Sequence, residues 1–579
     1  MSSAVAAAGV FALAVFAPFE MTTPLLRMPW QSLTNLEAVL ALSIACWGAA
    51  LAVSGRLPRL TTPLAPAWIA LVSAMALAAA LAPAERLNAW HMAGRFAAAA
   101  IVYFLTVEGV TSRSRLHLAL ALCVVTGLVV AALAMLEYRH VGVVLRALRA
   151  FRPAVTSVGD QVRAGGPLQY PTIASMYLEV VFAFGLGLML VAIDARNRVA
   201  AAVWFVALTA IANAIMLTFT RAGLITMALN LAFVAALRLR QRGLEIGAGL
   251  VAALALVIAA SFFSSRSAQS LWLRMTSEGQ DSWYLARLDA PEDLSLAVGQ
   301  PSYVTVCATN IGRVTWDSDG ESPIYLSYHW LDATGDRVVA YDGARTKFDE
   351  PVVPGGSATV HALVRAPRAA GSYRLEWDLV QEDRLWFSTE QGAPEPMLTR
   401  ATVTGRSVGG PLPTRPRPTR VVRPGRVVLW RTALRMATAH PVAGVGPDNF
   451  RLLYGDYAGL ANADKRTHSN NMYLEVLVGG GLIAAAAFAW LLRDTASLIV
   501  FGCKGSDPNK RAIARSWAQT PLHTPVAAGI AAAAIAIAVH GTIDSFLSFA
   551  PTYILFSLTL GFAAAVGRGV ETAADAHRV

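Results

Sequence analysis

Arg221, Arg426 and His468 are the side chains here whose types and settings best suit chemistry. Two guanidinium groups bind a phosphate or pyrophosphate in bidentate fashion, and an imidazole takes a proton from a hydroxyl near neutral pH. Arg221 lies in Leu217-Thr218-Phe219-Thr220-Arg221-Ala222-Gly223, a very short turn between two apolar runs. A lone arginine at such a junction often just snorkels to the headgroups, but a turn this tight also holds a guanidinium at fixed depth. Arg426 opens an amphipathic stretch with Trp430, Leu434 and Met436, at the helix end that favours anions. Arg431 and Arg435, spaced i, i+4, read as a solvated face.

His468-Ser469-Asn470-Asn471 precedes an apolar helix in which Glu475 follows two turns on, about the same face. Ser469 or the asparagines cap that helix on the plain reading. A carboxylate inside an apolar run is costly and often functional. The punctuated stretch His440 to Phe450, with Pro441, Gly444, Gly446 and Pro447, reads as a connector. Gly479-Gly480-Gly481 permits close packing by a neighbouring helix. His540, Asp544 and Ser545 have the residue types of a hydrolase triad, but no Gly-x-Ser-x-Gly elbow accompanies them.

The elements that must position these groups are membrane helices. Of 579 residues, 55% are hydrophobic and only 15% charged, with mean hydropathy +0.49. That is too little charge for a soluble chain of this length. Apolar runs at 4–19, 35–53, 65–82, 92–110, 117–136, 173–193, 199–217, 222–238, 245–264, 472–491, 524–543 and 549–567 give about twelve spans. Arginine and lysine gather in alternate loops: Arg56 and Arg59, Arg113 and Arg115, Arg196 and Arg198, Arg238 to Arg242, and Lys504 to Arg515. These loops and both termini are therefore expected in the cytoplasm, which turns the long segment after Ser265 outward. The net charge of +11 is explained by this orientation, and no basic, aromatic-rich segment suggests nucleic acid. The N-terminal run lacks a basic n-region and reads as a first span, not a signal peptide. Four cysteines in dissimilar settings suggest neither a disulfide nor a metal site. Residues 138–163, with Arg139, Arg146, Arg149, Arg152 and Arg163, read as a basic amphipathic helix on the outer boundary, fit for headgroups or substrate.

Between Asp289 and Gly405 the period changes to two, as in Ile324-Leu326-Tyr328-Trp330 and Tyr373-Leu375-Trp377-Leu379. Turn residues separate the runs, which predicts a small β-sandwich of immunoglobulin-like type. Exposed aromatics there, such as Trp316 or Trp386, would let it bind glycan or a partner; a spacer role is at least as well supported. The expected fold is thus an all-α polytopic membrane protein with an inserted periplasmic all-β immunoglobulin-like sandwich. Its parts are a helical bundle over 1–264, a connector over 265–288, the sandwich over 289–405, a Pro/Arg-rich linker and loop helices over 406–471, and closing membrane helices over 472–579.

The chain resembles the O-antigen ligase and O-antigen polymerase superfamily. Arg163-Ala164-Gly165-Gly166-Pro167-Leu168 with Pro171, Thr220-Arg221-Ala222-Gly223, Gly425-Arg426 with Trp430, His440-Pro441, Gly444-Val445-Gly446 with Asn449-Phe450, and His468 to Ile483 carry the resemblance. It implies metal-independent, inverting glycan transfer from undecaprenyl pyrophosphate at the outer face of a bacterial inner membrane, without a cofactor. The acceptor would be lipid A-core, a growing glycan or a protein. It implies that Arg221 and Arg426 hold the pyrophosphate and that His468 stands near the acceptor hydroxyl. Arg163, Asn470, Asn471 and Glu475 are the further substrate-binding candidates. Many members read His-x-His-Asn at the helix entry, and Asn470 stands here at the second histidine position, where it cannot serve as a base. A lipid-linked glycan transporter and a non-catalytic assembly factor working through the β region are the rival readings. Transporters favour repeated halves and polar groups at mid-membrane, whereas the polar candidates here gather at one surface.

Overall fold

The computed structural model describes residues 1–27, 32–55, 57–58, 61–152, 156–158, 161–263, 283–319, 323–382, 385–390, 393–407, 413–416, 424–460, 463–502 and 521–570. Arg56, Arg59, Cys503, Lys504, Lys510, Arg511, Arg515, most of the 265–288 connector and most of the Pro/Arg-rich linker lie outside these residues.

The first ten helices are α1 (Ser2–Phe16), α2 (Asn35–Ser54), α3 (Ala65–Leu81), α4 (Arg86–Gly109), α5 (Arg113–Tyr138), α6 (Gly142–Leu148), α7 (Pro171–Asp194), α8 (Arg198–Leu217), α9 (Arg221–Arg242) and α10 (Ile246–Phe263). After the β region come α11 (Arg426–Ala439), α12 (Phe450–Ala458), α13 (Met472–Phe501), α14 (Pro525–His540) and α15 (Ala550–Gly567). Eight of these are long and apolar enough to cross a membrane: α2, α4, α5, α7, α8, α9, α13 and α15. Shorter apolar helices are α1, α3, α14 and the Ile246–Ala260 part of α10. The chain is therefore a polytopic membrane protein, mostly helical. Helix α7 packs against α5, α8, α9 and α14, and nearly every one of its residues is buried, as are all those of α15.

The basic amphipathic helix expected over 138–163 is cut short. Only α6 forms, followed by a hairpin of β3 (Thr156–Val158) and β4 (Gln161–Arg163). The reason is electrostatic: Arg152 folds inward and ion-pairs with Glu137 at the end of α5, both nearly fully buried. Glu137 also accepts from the backbone N–H of Gly165 and Gly166, at 3.1 and 2.8 Å. The Arg152 end of the segment is thereby pinned to the bundle.

The period-two region forms two sheets over one core. One has the order β10 (Ser357–Arg365), β7 (Pro301–Asn310), β5 (Ala286–Asp289). The other runs β14 (Arg415–Pro416), β9 (Arg337–Ala340), β8 (Ile324–Leu331), β11 (Gly371–Gln381), β13 (Leu398–Thr404), β6 (Asp293–Ala297), with β12 (Leu385–Trp386) on β11. Trp377 of β11 stands opposite Tyr328 of β8, and the alternate residues of both strands fill the core, as the period requires. Trp316, expected to be exposed, is 0% exposed, whereas Trp386 is half-buried. Trp316 packs against Phe348 and Phe387, where a large ring removes more apolar surface from water than it would on a spacer's face.

Helix α13 is broken at Gly481, which has φ +63° and ψ −166°. The carbonyls of Val478 and Gly479 accept from Val445 and Gly446, and Leu482 donates to Pro441. The glycine run thus admits the 440–447 loop, not a neighbouring helix alone. A side chain at Gly481 would collide with the backbone of Val442. Irregular backbone is tolerated near a membrane only when buried in protein like this.

Candidate active site

Arg221 and Arg426 are each the first residue of a helix, α9 and α11. Both are exposed to solvent, and each adds a guanidinium to the positive end of a helix dipole. The α8–α9 turn that presents Arg221 is fixed by Arg163. Its Nε donates to the Thr218 carbonyl at 3.0 Å and its Nη2 to Thr220 Oγ1 at 3.3 Å. Arg163 is itself buried, and Ala164 N–H donates to the Leu217 carbonyl at 2.9 Å. Arg163 therefore positions the turn from beneath.

Helix α11 buries Leu429, Ala433 and Met436 and exposes Arg431 and Arg435, as an amphipathic surface helix should. Leu434 falls outside that face and is 52% exposed, because positions 429, 433 and 436 hold the i, i+4, i+7 stripe. Arg426 feels two neighbours from distant parts of the chain, Asp544 and Arg221. Its guanidinium is held below its usual value, because surrounding protein strips water from it; Asp544 opposes the shift and the like charge of Arg221 adds to it. Two cations held in mutual repulsion are what an incoming polyanion relieves.

His468 stands on the loop before α13. Its Nδ1 is 3.8 Å from Asp448 Oδ1 and 3.7 Å from Glu475 Oε1. These are charge contacts, too long for hydrogen bonds. Burial alone would lower the His468 pKa; Glu475, then Asp448, outweigh it and raise the value, with Arg451 opposing. Glu475 also accepts from Ser469 N–H at 2.6 Å. Asn471 caps α13, its Oδ1 accepting from Tyr473 and Leu474 N–H and its Nδ2 donating to the Thr542 carbonyl at 3.0 Å. Asn470 sits in the left-handed region at φ +52° and turns the chain into that cap.

The two groups of residues share one end of the bundle. Trp430 of α11 donates through Nε1 to the Ser469 carbonyl at 3.0 Å, Met472 N–H donates to the Gly541 carbonyl at 2.7 Å, and the His468 ring meets Phe549 edge-on at 6.2 Å. A small cleft lined by Asp448, Glu475, Ser545 and Ser548, with Met92 and Phe96 of α4, lies beside them.

Residue types alone did not pick out Asp448, Arg451 and Asn88 as members of the site. Asp448 Oδ2 accepts from Arg451 Nε at 2.8 Å and from Asn88 Nδ2 at 3.2 Å, which locks the 440–450 loop to α4. Glu179 is the single acidic residue within the apolar run 173–193, the one local signal that marks it. Ser545, weighed as a nucleophile, is buried and hydrogen-bonds through its N–H to Asp544 Oδ1. Among the described residues no group of three or more His, Cys, Asp or Glu could hold a metal ion.

Residues 415–489 match the family model for O-antigen ligase. This stretch is similar to the O-antigen ligase family. The match spans Arg426, the 440–450 loop, His468 and the first half of α13, so it supports the O-antigen ligase and polymerase superfamily. Members of this family are glycosyltransferase-like enzymes. No curated protein matches the chain. Arg221 and Arg163 lie outside the matched residues, and only the fold brings Arg221 near Arg426 within them.

A pH prediction follows from the carboxylates around His468. To accept a proton, the imidazole must be neutral, and its raised pKa keeps it cationic to higher pH. Transfer is expected to rise with pH through a midpoint above the usual imidazole value of about 6.5. Glu475→Gln removes the largest raising influence, so its midpoint should fall. Rates titrated from pH 5 to 9 with both proteins check this, and an unmoved midpoint would take the His468–Glu475 contact out of the proton transfer.

Proposed function

We infer that this protein is a membrane glycosyltransferase of the O-antigen ligase type. It moves a glycan from undecaprenyl pyrophosphate to an acceptor hydroxyl at the periplasmic face of a bacterial inner membrane. The observation that carries the reading is that Arg221 and Arg426, from separate helix starts, are near enough to repel each other electrostatically. In the reaction, the acceptor oxygen attacks the anomeric carbon and the bond to the pyrophosphate oxygen breaks. The two guanidinium groups neutralise the charge that develops on the leaving pyrophosphate. His468 takes the hydroxyl proton, and Asp448 and Glu475 stabilise the imidazolium that results. Attack opposite the leaving group inverts the anomeric centre, and no metal is needed because the arginines carry the counter-charge. The proposed topology has about twelve crossings, both termini in the cytoplasm and an immunoglobulin-like sandwich outside.

The test is purified full-length protein with a polyprenyl-pyrophosphate-linked oligosaccharide and a glycan acceptor, with EDTA present. Release of polyprenyl pyrophosphate together with an inverted linkage by NMR is expected, and donor left intact would defeat the reading. Polymerase and ligase are separated by the surface glycans of a strain lacking the gene. Loss of all long chains from lipid A marks a ligase, and single repeat units on lipid A mark a polymerase. Unchanged lipid A glycans with unmodified glycoproteins would mark a protein acceptor.

No side chain of the described site comes from 289–405. Replacing that segment with a short Gly/Ser linker is expected to leave donor cleavage measurable in the same assay. Abolished cleavage with donor binding retained would make the β region the working part.

A further inference from the structure

Glu179 carries a carboxylate inside the buried helix α7, with 0% exposure of its side chain. An unsatisfied charge there would be prohibitively costly. Its two oxygens lie 2.9 and 3.0 Å from Nδ1 of His540, the last residue of α14. Thr226 Oγ1 of α9 donates to the same carboxylate, and Asn230 Nδ2 donates to the Glu179 carbonyl at 3.2 Å. One turn away, Ser175 of α7 faces Gly223 of α9 so closely that a side chain at position 223 would overlap its hydroxyl. One carboxylate therefore ties the first turns of α9 to the last turn of α14.

What lies beyond those two turns matters. Thr226 is in the second turn of the helix that Arg221 opens. Asp544 N–H donates to the His540 carbonyl at 3.0 Å, and His540 interacts electrostatically with both Asp544 and Arg426. Asp544 in turn is the opposite charge that faces Arg426. The chain of contacts thus runs from Arg221 through α9 to Glu179, on to His540 and Asp544, and ends at Arg426.

We propose that Glu179, through its hydrogen bonds to His540 and Thr226, is a positioning residue that sets the spacing of Arg221 and Arg426 for a pyrophosphate. This rests on the reading of the two arginines as pyrophosphate ligands. Glu179 touches neither donor nor acceptor; it holds the bases of the two elements that do. His540 serves in it as a hydrogen-bond donor at Nδ1, a role an asparagine amide can take over.

The experiment measures binding of farnesyl pyrophosphate and of farnesol to the full-length protein in lipid nanodiscs, with thermal unfolding followed in parallel. The wild type is expected to hold farnesyl pyrophosphate more tightly than farnesol. Glu179→Ala and His540→Leu should each weaken farnesyl pyrophosphate about tenfold, the scale of one lost buried hydrogen bond, and leave farnesol unchanged. The pair Glu179→Gln with His540→Asn, which keeps a neutral N–H···O=C bond at the same place, should restore most of that affinity. Thr226→Val supplies the same measurement if Glu179→Ala does not fold. Equal discrimination between the two ligands in wild type and folded variants would overturn the proposal, as would loss of both ligands together, which marks a packing role only. A wild type that does not discriminate would instead bring down the pyrophosphate reading beneath it.

Discussion

Arg221→Ala with Arg426→Ala is expected to reduce glycan transfer further than either substitution alone while the protein remains folded in the membrane. Removing one preorganised group that stabilises developing negative charge costs about 10²–10³ in rate. Either single variant should show a loss of that order. The double variant should fall short of the product of the singles, since both cations face one pyrophosphate and lose their partner together. Arg221→Lys and Arg426→Lys should recover little, because an ammonium replaces a two-pronged planar donor with a point charge. Both residues are exposed first residues of their helices, so their loss costs the bundle little packing. The measurement is single-turnover donor cleavage at saturating acceptor, alongside donor binding. Full cleavage in either alanine variant would remove that arginine from the leaving-group site.

His468→Ala is expected to lower transfer by about 10²–10⁴, the range for loss of a positioned general base. Donor binding should be nearly unaffected, which separates this variant from the arginine variants. The remaining activity should lose its acid limb, because the group that titrates there is gone. Added imidazole is expected to return part of the rate, since the deleted ring leaves a space beside Phe549, Asp448 and Glu475. Wild-type rates in His468→Ala would show that the proton goes elsewhere. The setting of Asn470 bears on this expectation. At φ +52° it shapes the turn into the α13 cap, and an amide cannot accept the acceptor's proton at neutral pH. His468, with two carboxylates at its Nδ1, is the imidazole of this loop with counter-charges suited to an imidazolium.

Much of this arrangement can be traced back to local sequence. The i, i+4, i+7 stripe of Leu429, Ala433 and Met436 is enough to lay α11 on a surface with Arg426 at its start. Asn471 announces the start of α13 because a side-chain oxygen there satisfies N–H groups that a first turn leaves open. Less could be read where partners are remote. The inward fold of Arg152 was invisible because a run of arginines beside apolar residues looks the same whether it faces headgroups or a buried carboxylate. The burial of Trp316 is hidden for a related reason: it lies between β7 and β8, and its partners Phe348 and Phe387 are remote in sequence.

Sequence by itself determined the class of this protein and the identity of its candidate chemistry. Hydropathy and strand period are properties of neighbouring residues, and two arginines and a histidine at helix entries keep their character whatever surrounds them. Tertiary structure alone decided which of these groups meet. Glu179 and His540 are 361 residues apart, and Asn88 and Asp448 are 360 apart. Nothing in either neighbourhood encodes the other, because such pairs form only when packed helices have already brought their segments together.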